Sequence, residues 1–199
     1  MKFKVGDKTD ADHCCALTHE FLRCRDAFKE FEQFATIAVL KGQTPLLSYR
    51  KYNAYSAFIH HLYEFIRGAH ARDAQNTKIT DKKLTRAERA KLDEDYIASH
   101  VQRLLTKRRT AIQNGTAPLW ENDISYYPEK VPPEFAKEFR RHRNLTHAHV
   151  SHERASKINL SDFFAKYHKY IYLLYRDCSW WEPRDQQFPD LKQITTFTI

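Results

Sequence analysis

The chain has 199 residues, of which 42% are hydrophobic and 14% aromatic, and its formal net charge is +8. This length fits one domain, and the apolar content excludes a chain that is disordered throughout. Four glycines and seven prolines are too few for a loop-rich β-sandwich or a glycine-rich nucleotide fold. The basic charge favours anionic partners such as RNA or DNA, although many basic proteins bind neither.

The cysteines and the apolar runs bear on the cell compartment. Cys14, Cys15, Cys24 and Cys178 lack the spacing of a disulfide framework, which predicts reduced thiols and a cytoplasmic protein. No apolar run approaches the roughly 20 residues that cross a bilayer. The first residues contain no apolar signal region. We therefore expect no membrane partner.

The first part of the chain predicts a long helix after an arm formed by residues 1–9, which could be a short strand or a loose segment. The helix should run from about Asp10 to Leu40, because apolar residues recur at the spacing of one helix face. Gly42 and Pro45 should end it. That face consists of Leu17, Phe21, Cys24, Phe28, Phe31 and Ala35.

A second helix is predicted from Leu46 or Leu47 to Ala71. Its short connection to the first helix favours an antiparallel hairpin. On this helix His60, Glu64 and Arg67 follow one another at helical spacing. Two interpretations stay open: the three side chains orient a catalytic group across the bundle, or they form a surface ladder of ion pairs.

A polar connector at residues 72–83 should precede a third helix, which begins with the capping-box pattern Thr85 to Glu88 and ends near Gln113. The outer face of this helix is basic and is either a solvated face or a track for a nucleic-acid backbone. The following segment, 115–133, is rich in proline and aromatic residues. It either packs over the end of the bundle or offers a platform on which bases stack.

The last long helix should be capped by Asn159 or Ser161 and should end near Ser179. Its aromatic residues indicate a helix that is buried centrally or shared with a second chain. The tail 182–199 has β character and could pair with the N-terminal residues or with a second protomer. We therefore predict an all-α, up-down bundle of four long helices plus a shorter motif helix, with residues 10–181 as the domain.

The motif helix should start at Pro132-Pro133, and its apolar stripe begins with Phe135 and Phe139. At the next positions of the stripe, polar side chains replace the apolar ones. Three interpretations compete: histidines that are hydrogen-bonded inside the bundle, a metal site, or acid–base chemistry on a phosphodiester. Those positions hold His142, Thr146, His149 and Glu153.

A metal site is the weakest of these interpretations. His147, His149 and His152 are closely spaced, but the first two lie on opposite sides of a regular helix. No Cys/His pair at zinc-ligand spacing supports them elsewhere. The Glu-x-x-His pattern of di-iron bundles is also absent from the sequence. We therefore expect no metal and no cofactor.

The phosphodiester interpretation is favoured by a resemblance. Arg143-Asn144-x-x-x-x-His149 resembles the Arg-x(4–6)-His motif of the HEPN superfamily, the higher eukaryote and prokaryote nucleotide-binding domain. The resemblance implies that Arg143 binds the phosphate, Asn144 is its polar neighbour and His149 is the catalytic histidine. His147 is an alternative, paired with Arg141 or with Arg143.

The resemblance also implies a function. It suggests a metal-independent endoribonuclease that acts on RNA as a homodimer, in a toxin or antiphage role, with an antitoxin or accessory protein as partner. Further candidate contacts to nucleic acid are Arg103, Lys107, Arg108, Arg140 and Arg141. Three rivals stay open: a helical module that binds nucleic acid or nucleotides without chemistry, a metal-binding bundle, and a purely structural or oligomeric protein.

The spacing of the motif raises a geometric requirement. In a regular helix Arg143 and His147 share a face one turn apart, whereas Arg143 and His149 do not. A pairing of Arg143 with His149 therefore needs a helix break, a local distortion or a second chain.

Overall fold

Long apolar faces with few helix breakers produce an all-α bundle, as the sequence predicts. The computed structural model describes residues 1–77, 84–148, 158–182 and 188–196, with the side chains of 147 and 148 left aside. No β-strand occurs in these ranges; an isolated bridge joins Lys2 and Asn76. The helices are α1 (Lys8–Lys41), α2 (Pro45–Asp73), α3 (Arg86–Gln113), α4 (Phe135–Arg143), α5 (Leu160–Asp177) and α6 (Lys192–Thr195).

Local capping chemistry sets the boundary between α1 and α2. Gly42 ends α1 with φ of +86°, a left-handed conformation that a side chain would disfavour. Thr44 then caps α2 by accepting a hydrogen bond from the backbone N–H of Leu47, and Pro45 is the first helical residue. The predicted stop at Gly42 and Pro45 is confirmed. Since the connection is short, α1 and α2 pack along each other.

Two other predicted caps are confirmed. Thr85 and Glu88 form the reciprocal capping box at the start of α3. Asn159 caps α5, because its side chain accepts hydrogen bonds from the backbone N–H groups of Ser161 and Asp162 at 3.0 and 3.1 Å. The α-helical part of α5 ends at Asp177, and a 3₁₀ turn continues to Trp181.

The core lies between α1, α2, α4 and α5, with α3 against the last two. The aromatic helix α5 buries one face, which includes Tyr167, Ile171 and Leu174, whereas Phe164 and Tyr172 are exposed. Aromatic rings fill much of the space, and Phe58 packs edge-on against Tyr175 with 5.4 Å between ring centroids. Other fully buried side chains are Phe21, Phe65, Phe135, Phe139, Leu62 and Leu105.

Each end of the chain is anchored by a buried apolar side chain. Phe3 in the arm is buried, and the backbone N–H groups of Phe3 and Thr77 donate to Gln75 and Met1 carbonyls at 3.1 and 3.0 Å. The arm therefore pairs with the segment after α2. The β character predicted for the tail is wrong at Lys192–Thr195, which is helical. Leu191 is buried and anchors this short helix.

The predictions on thiols and membrane spans can be compared with the described residues. All four cysteines are free, as their spacing predicted. Burial raises the pKa of the Cys24 and Cys178 thiols, so these two are packing residues rather than nucleophiles. None of the described helices is both long enough and apolar enough to cross a membrane.

Candidate functional site

The motif begins where α4 is anchored in the core. Phe135 and Phe139 are fully buried, and the ring of Phe139 packs edge-on against Tyr63 of α2 with 5.2 Å between centroids. His142 and Thr146, which continue the same stripe, are also buried. At these two described positions the polar part of the stripe therefore faces the core, as the spacing predicted.

His142 and Thr146 are hydrogen-bonded inside the bundle. The Nδ1 atom of His142 lies 2.9 Å from the carbonyl of Glu138, and its ring lies 4.3 Å from the ring of Phe163. Burial lowers the pKa of His142, so the imidazole is neutral at pH 7. The hydroxyl of Thr146 donates to the His142 carbonyl at 2.7 Å. These two residues therefore match the first of the three interpretations, polar groups that are hydrogen-bonded inside the bundle.

Arg143 is oriented by partners on both sides. Its Nη2 group donates to a carboxylate oxygen of Glu64, which lies across the bundle on α2, and its Nη1 group donates to the side-chain oxygen of Asn144 at 2.6 Å. The guanidinium carbon lies 5.4 Å from the centroid of the Tyr63 ring. Among the described residues no atom accepts a hydrogen bond from the buried Nε–H of Arg143. The arrangement fixes the guanidinium and leaves donors for another acceptor.

Glu64 belongs to the helical-spacing trio that the sequence singled out on α2. Arg67 donates to Glu64 at 3.4 Å, and its Nε lies 3.0 Å from the carboxylate of Asp93 on α3. The structure therefore contains a contact of each predicted kind. Glu64 and Arg67 form an ion pair along α2, and Glu64 also contacts Arg143 of the motif across the bundle.

The helix changes type directly after Arg143. Residues Asn144–Ala148 form a π turn, whose hydrogen bonds span one residue more than those of an α-helix, so side chains no longer stack in the α register. A local distortion of this kind is one of the three ways in which Arg143 could pair with a histidine six positions later, beside a helix break and a second chain. The backbone of His147 lies in this turn, whereas His149 and His152 lie outside the described residues.

The five predicted nucleic-acid contacts divide into two groups. Arg140 pairs with Glu94 at 2.7 Å, Arg141 pairs with Glu138 at 3.3 Å, and Arg108 pairs with Glu121. Each therefore already has an acidic partner. The second group, Arg103 and Lys107, is exposed on α3 one turn apart and forms no ion pair with the described residues.

The aromatic side chains of segment 115–133 are partly buried and partly exposed. Tyr127 is buried and closes the end of the bundle. Trp120 and Tyr126 stay 70% and 42% exposed. Together with Arg108 and Lys169 they line a cavity of about 270 Å³. Glu121, the ion-pair partner of Arg108, lines the same cavity. Flat rings with nearby cations are the components that bind unpaired bases and their phosphates.

Sequence analysis alone does not predict two contacts in this region. Glu64 and Arg143 are 79 positions apart in the chain. The only sequence signal for this contact is the helical spacing of Glu64 with His60 and Arg67 on α2. Glu20 of α1 lies against His60 and His61 of α2, and no spacing signal connects residues so far apart in the chain.

Comparisons with known proteins identify no relative of this chain, so the site is interpreted from its geometry. No family model, no curated protein and no solved structure matches the chain.

Proposed function

We propose that this protein is a metal-independent endoribonuclease of HEPN-like design, in which Arg143 and a histidine of the following segment act on one phosphodiester. The observation that supports the proposal most directly is the placement of Arg143. Its guanidinium is held between Glu64 and Asn144, immediately before the π turn that leads to the histidines. A positioned fork of N–H donors next to imidazoles is what cleavage of a phosphodiester requires.

The proposed reaction is attack by the ribose 2′-hydroxyl on the adjacent phosphorus. The bond from O2′ to phosphorus forms while the bond from phosphorus to O5′ breaks, which leaves a 2′,3′-cyclic phosphate and a 5′-hydroxyl. His149, or His147 in its place, makes one of the two proton transfers, from the 2′-hydroxyl or to O5′, and water or the histidine of a second copy makes the other. Arg143 stabilises the negative charge that develops on the phosphoryl oxygens.

Glu64 and Asn144 act as positioning residues in this scheme. Asn144 holds one side of the guanidinium through its 2.6 Å hydrogen bond, and Glu64 holds the other side. Because a guanidinium has further N–H groups, the phosphate can bind at the edge that these two residues leave open. The guanidinium also lies over the ring of Tyr63, which adds a cation–π contact.

The partners follow from the same proposal. RNA would contact the exposed pair Arg103 and Lys107 on α3, and a homodimer would bring two copies of the motif to one cleavage site. A toxin or antiphage role would require an antitoxin or accessory protein that restrains the nuclease in its host. The predicted cytoplasmic location is consistent with cellular RNA as substrate.

The test is an RNase assay in the presence of EDTA, with the termini of the products identified. We expect cleavage by the wild type to 2′,3′-cyclic phosphate ends. Arg143→Ala and the substitution of the correct histidine, His149→Ala or His147→Ala, should each lower the rate by about 100-fold or more, since acid–base groups contribute about 10² to 10⁴. Arg50→Ala, an exposed arginine on α2, is the matched control and should leave the rate unchanged.

Other outcomes would redirect or reject the assignment. Loss of cleavage in Arg141→Ala but not in Arg143→Ala would move the phosphate-binding role to Arg141, the alternative register. Full activity in Arg143→Ala and in both histidine variants would reject this site. RNA binding by the wild type without cleavage would favour the non-catalytic binding module instead.

A further inference from the structure

A second cluster of chemically capable side chains lies at the interface of α1 and α2. It consists of Glu20 on α1 and of His60 and His61 on α2. None of its members belongs to the proposed nuclease site. We propose that Glu20, His60 and His61 bind a divalent transition-metal ion, with zinc as the ion that suits the ligands best.

The geometry of the cluster is close to that of a metal site. One ligand atom from each of the three residues lies within 4.8 Å of the other two. The Nδ1 atom of His61 is 2.7 Å from the Oε1 atom of Glu20. Zinc binds imidazole nitrogen and carboxylate oxygen at about 2.0–2.2 Å, so the ligand atoms of a tetrahedral site are about 3.3 Å apart. Small side-chain rotations are enough to reach that spacing.

The helix packing explains how neighbouring histidines converge. Successive side chains on a helix point in directions about 100° apart, so two adjacent histidines normally diverge. Here the rings of His60 and His61 are 5.1 Å apart and nearly perpendicular, at 83°. Glu20 reaches both of them from the facing helix. Two helices therefore supply three ligands, and a fourth tetrahedral position is left for water.

Glu20 is oriented by residues on both sides of its carboxylate. Its Oε1 atom lies 2.7 Å from the Nδ1 atom of His61. Its second oxygen, Oε2, lies 3.5 Å from the guanidinium of Arg23. Arg23 thereby turns the first oxygen towards the imidazoles. A carboxylate that neighbouring side chains already orient needs little further ordering when it binds a cation.

The ligand types select the class of ion. Two imidazoles and one carboxylate favour zinc, cobalt or nickel, whereas magnesium and calcium prefer sites built from oxygen alone. The three side chains therefore predict which substitutions abolish binding.

The site is independent of the proposed cleavage reaction. It would clamp α1 to α2 one helical turn before Glu64, the residue that holds Arg143. Removal of the metal should therefore lower thermal stability, while EDTA leaves the cleavage chemistry in place. A failure of the nuclease assay would not affect the metal proposal, and absence of metal binding would not affect the nuclease proposal.

The experiment uses the full chain, freed of metal with EDTA and then freed of EDTA. Co²⁺ is titrated while its visible d–d absorption is recorded, Zn²⁺ is added as competitor, and the unfolding temperature is measured with and without Zn²⁺. We expect one Co²⁺ per chain with tetrahedral absorption, displaced by Zn²⁺, and a higher unfolding temperature with Zn²⁺. Glu20→Gln and His60→Gln should weaken binding by roughly 100-fold or more, since even indirect partners contribute about 10- to 100-fold.

His19→Gln is the matched control, because His19 neighbours Glu20 on α1 but lies outside the cluster. It should bind metal like the wild type. The proposal is wrong if the wild type binds neither ion, or if both cluster variants bind as tightly as the wild type. It is also wrong if only the combined substitution of His147, His149 and His152 by Ala removes binding, which would place the ion on the motif segment.

Circular dichroism establishes that each variant folds. His61→Gln is unsuitable as the primary test because His61 is buried. His60 is partly exposed, so His60→Gln decides the question even if Glu20→Gln unfolds.

Discussion

At the scale of single residues, the polar side chains on the inner face of α4 and its π turn divide into two kinds. His142 and Thr146 are buried and bonded to nearby backbone carbonyls. Arg143 is held by side chains, and its buried Nε–H meets no acceptor among the described residues. A buried N–H donor costs free energy unless another atom accepts its hydrogen bond. Arg143 is therefore the residue of this face whose hydrogen-bonding capacity the described residues do not fully use.

Buried histidines also couple the stability of the fold to pH. Burial lowers the pKa of His168 from 6.5 to about 4. Its ring stacks on Phe164 with 4.3 Å between centroids, and its Nδ1 atom lies 3.2 Å from the hydroxyl of Tyr55. The unfolded chain takes up a proton below pH 6.5, whereas the folded chain does not until about pH 4. The free energy of unfolding should therefore fall as the pH falls through this window, by about 3 kcal/mol at most.

Urea unfolding near pH 7 and near pH 4.5 measures this loss. His168→Gln should lose less stability between the two pH values than the wild type, although its stability at pH 7 is lower because the contact with Tyr55 is altered. His142 contributes in the same direction, so the pH dependence should shrink rather than disappear. His19→Gln should keep the pH dependence of the wild type. An unchanged loss in His168→Gln would show that His168 is not the group responsible.

At the scale of elements, Gly68 lies at the contact between α2 and α1. A Cβ atom built on Gly68 would lie 2.6 Å from the Cδ2 atom of the buried Leu17. The Nε2 atom of His13 lies 2.8 Å from the Gly68 carbonyl at the same contact. Gly68→Val should therefore displace the buried side chain of Leu17 and destabilise the protein by about 1–3 kcal/mol, the usual cost of overpacking.

Urea unfolding of Gly68→Val beside Ala16→Val separates packing from helix propensity. Ala16 is an exposed residue of α1, so its substitution introduces a β-branched side chain without a steric clash and should cost about 0.5 kcal/mol. Equal stabilities of the two variants would mean that α1 and α2 accommodate the added volume. A selective loss in Gly68→Val locates the constraint at Leu17.

Element boundaries were predictable where local chemistry sets them. The Thr85 to Glu88 capping box, the Asn159 cap and the Gly42 stop each act within a few residues, so sequence alone could place them. The short helix at Lys192–Thr195 was not predictable, because burial of Leu191 outweighed the β propensity of the tail.

Contacts across the bundle were the harder part. The sequence pointed to Arg143 and Asn144, but the link to Glu64 depends on how α2 and α4 pack. The same holds for the cluster of Glu20 with the two histidines of α2. Helical spacing identifies which side chains share a face, whereas the partner of that face is set by tertiary packing.

At the scale of the whole molecule, the N-terminal arm is part of the bundle rather than a separate segment. Phe3 is 6% exposed and lies 5.9 Å from the ring of His13. The backbone N–H of Gly6 donates to Asp10 at 2.8 Å, and Asp10 pairs with Arg72 of α2 at 2.8 Å. The side-chain hydrogen bond from Arg72, with the bond from Gly6, lowers the pKa of Asp10 to about 2. The arm, α1 and the end of α2 therefore form one connected unit.

Substitution of Phe3 should reveal this connection. Phe3→Ala removes a buried ring and should lower the free energy of unfolding by about 3 kcal/mol. Val5→Ala is the matched control, because Val5 is 61% exposed and should change stability by less than about 0.5 kcal/mol. Urea unfolding measures both changes. Amide hydrogen exchange adds a local measurement, since the hydrogen bonds of Phe3 and Thr77 should lose protection in Phe3→Ala first. If Phe3→Ala were as stable as Val5→Ala and equally protected, the arm would not hold the end of α2.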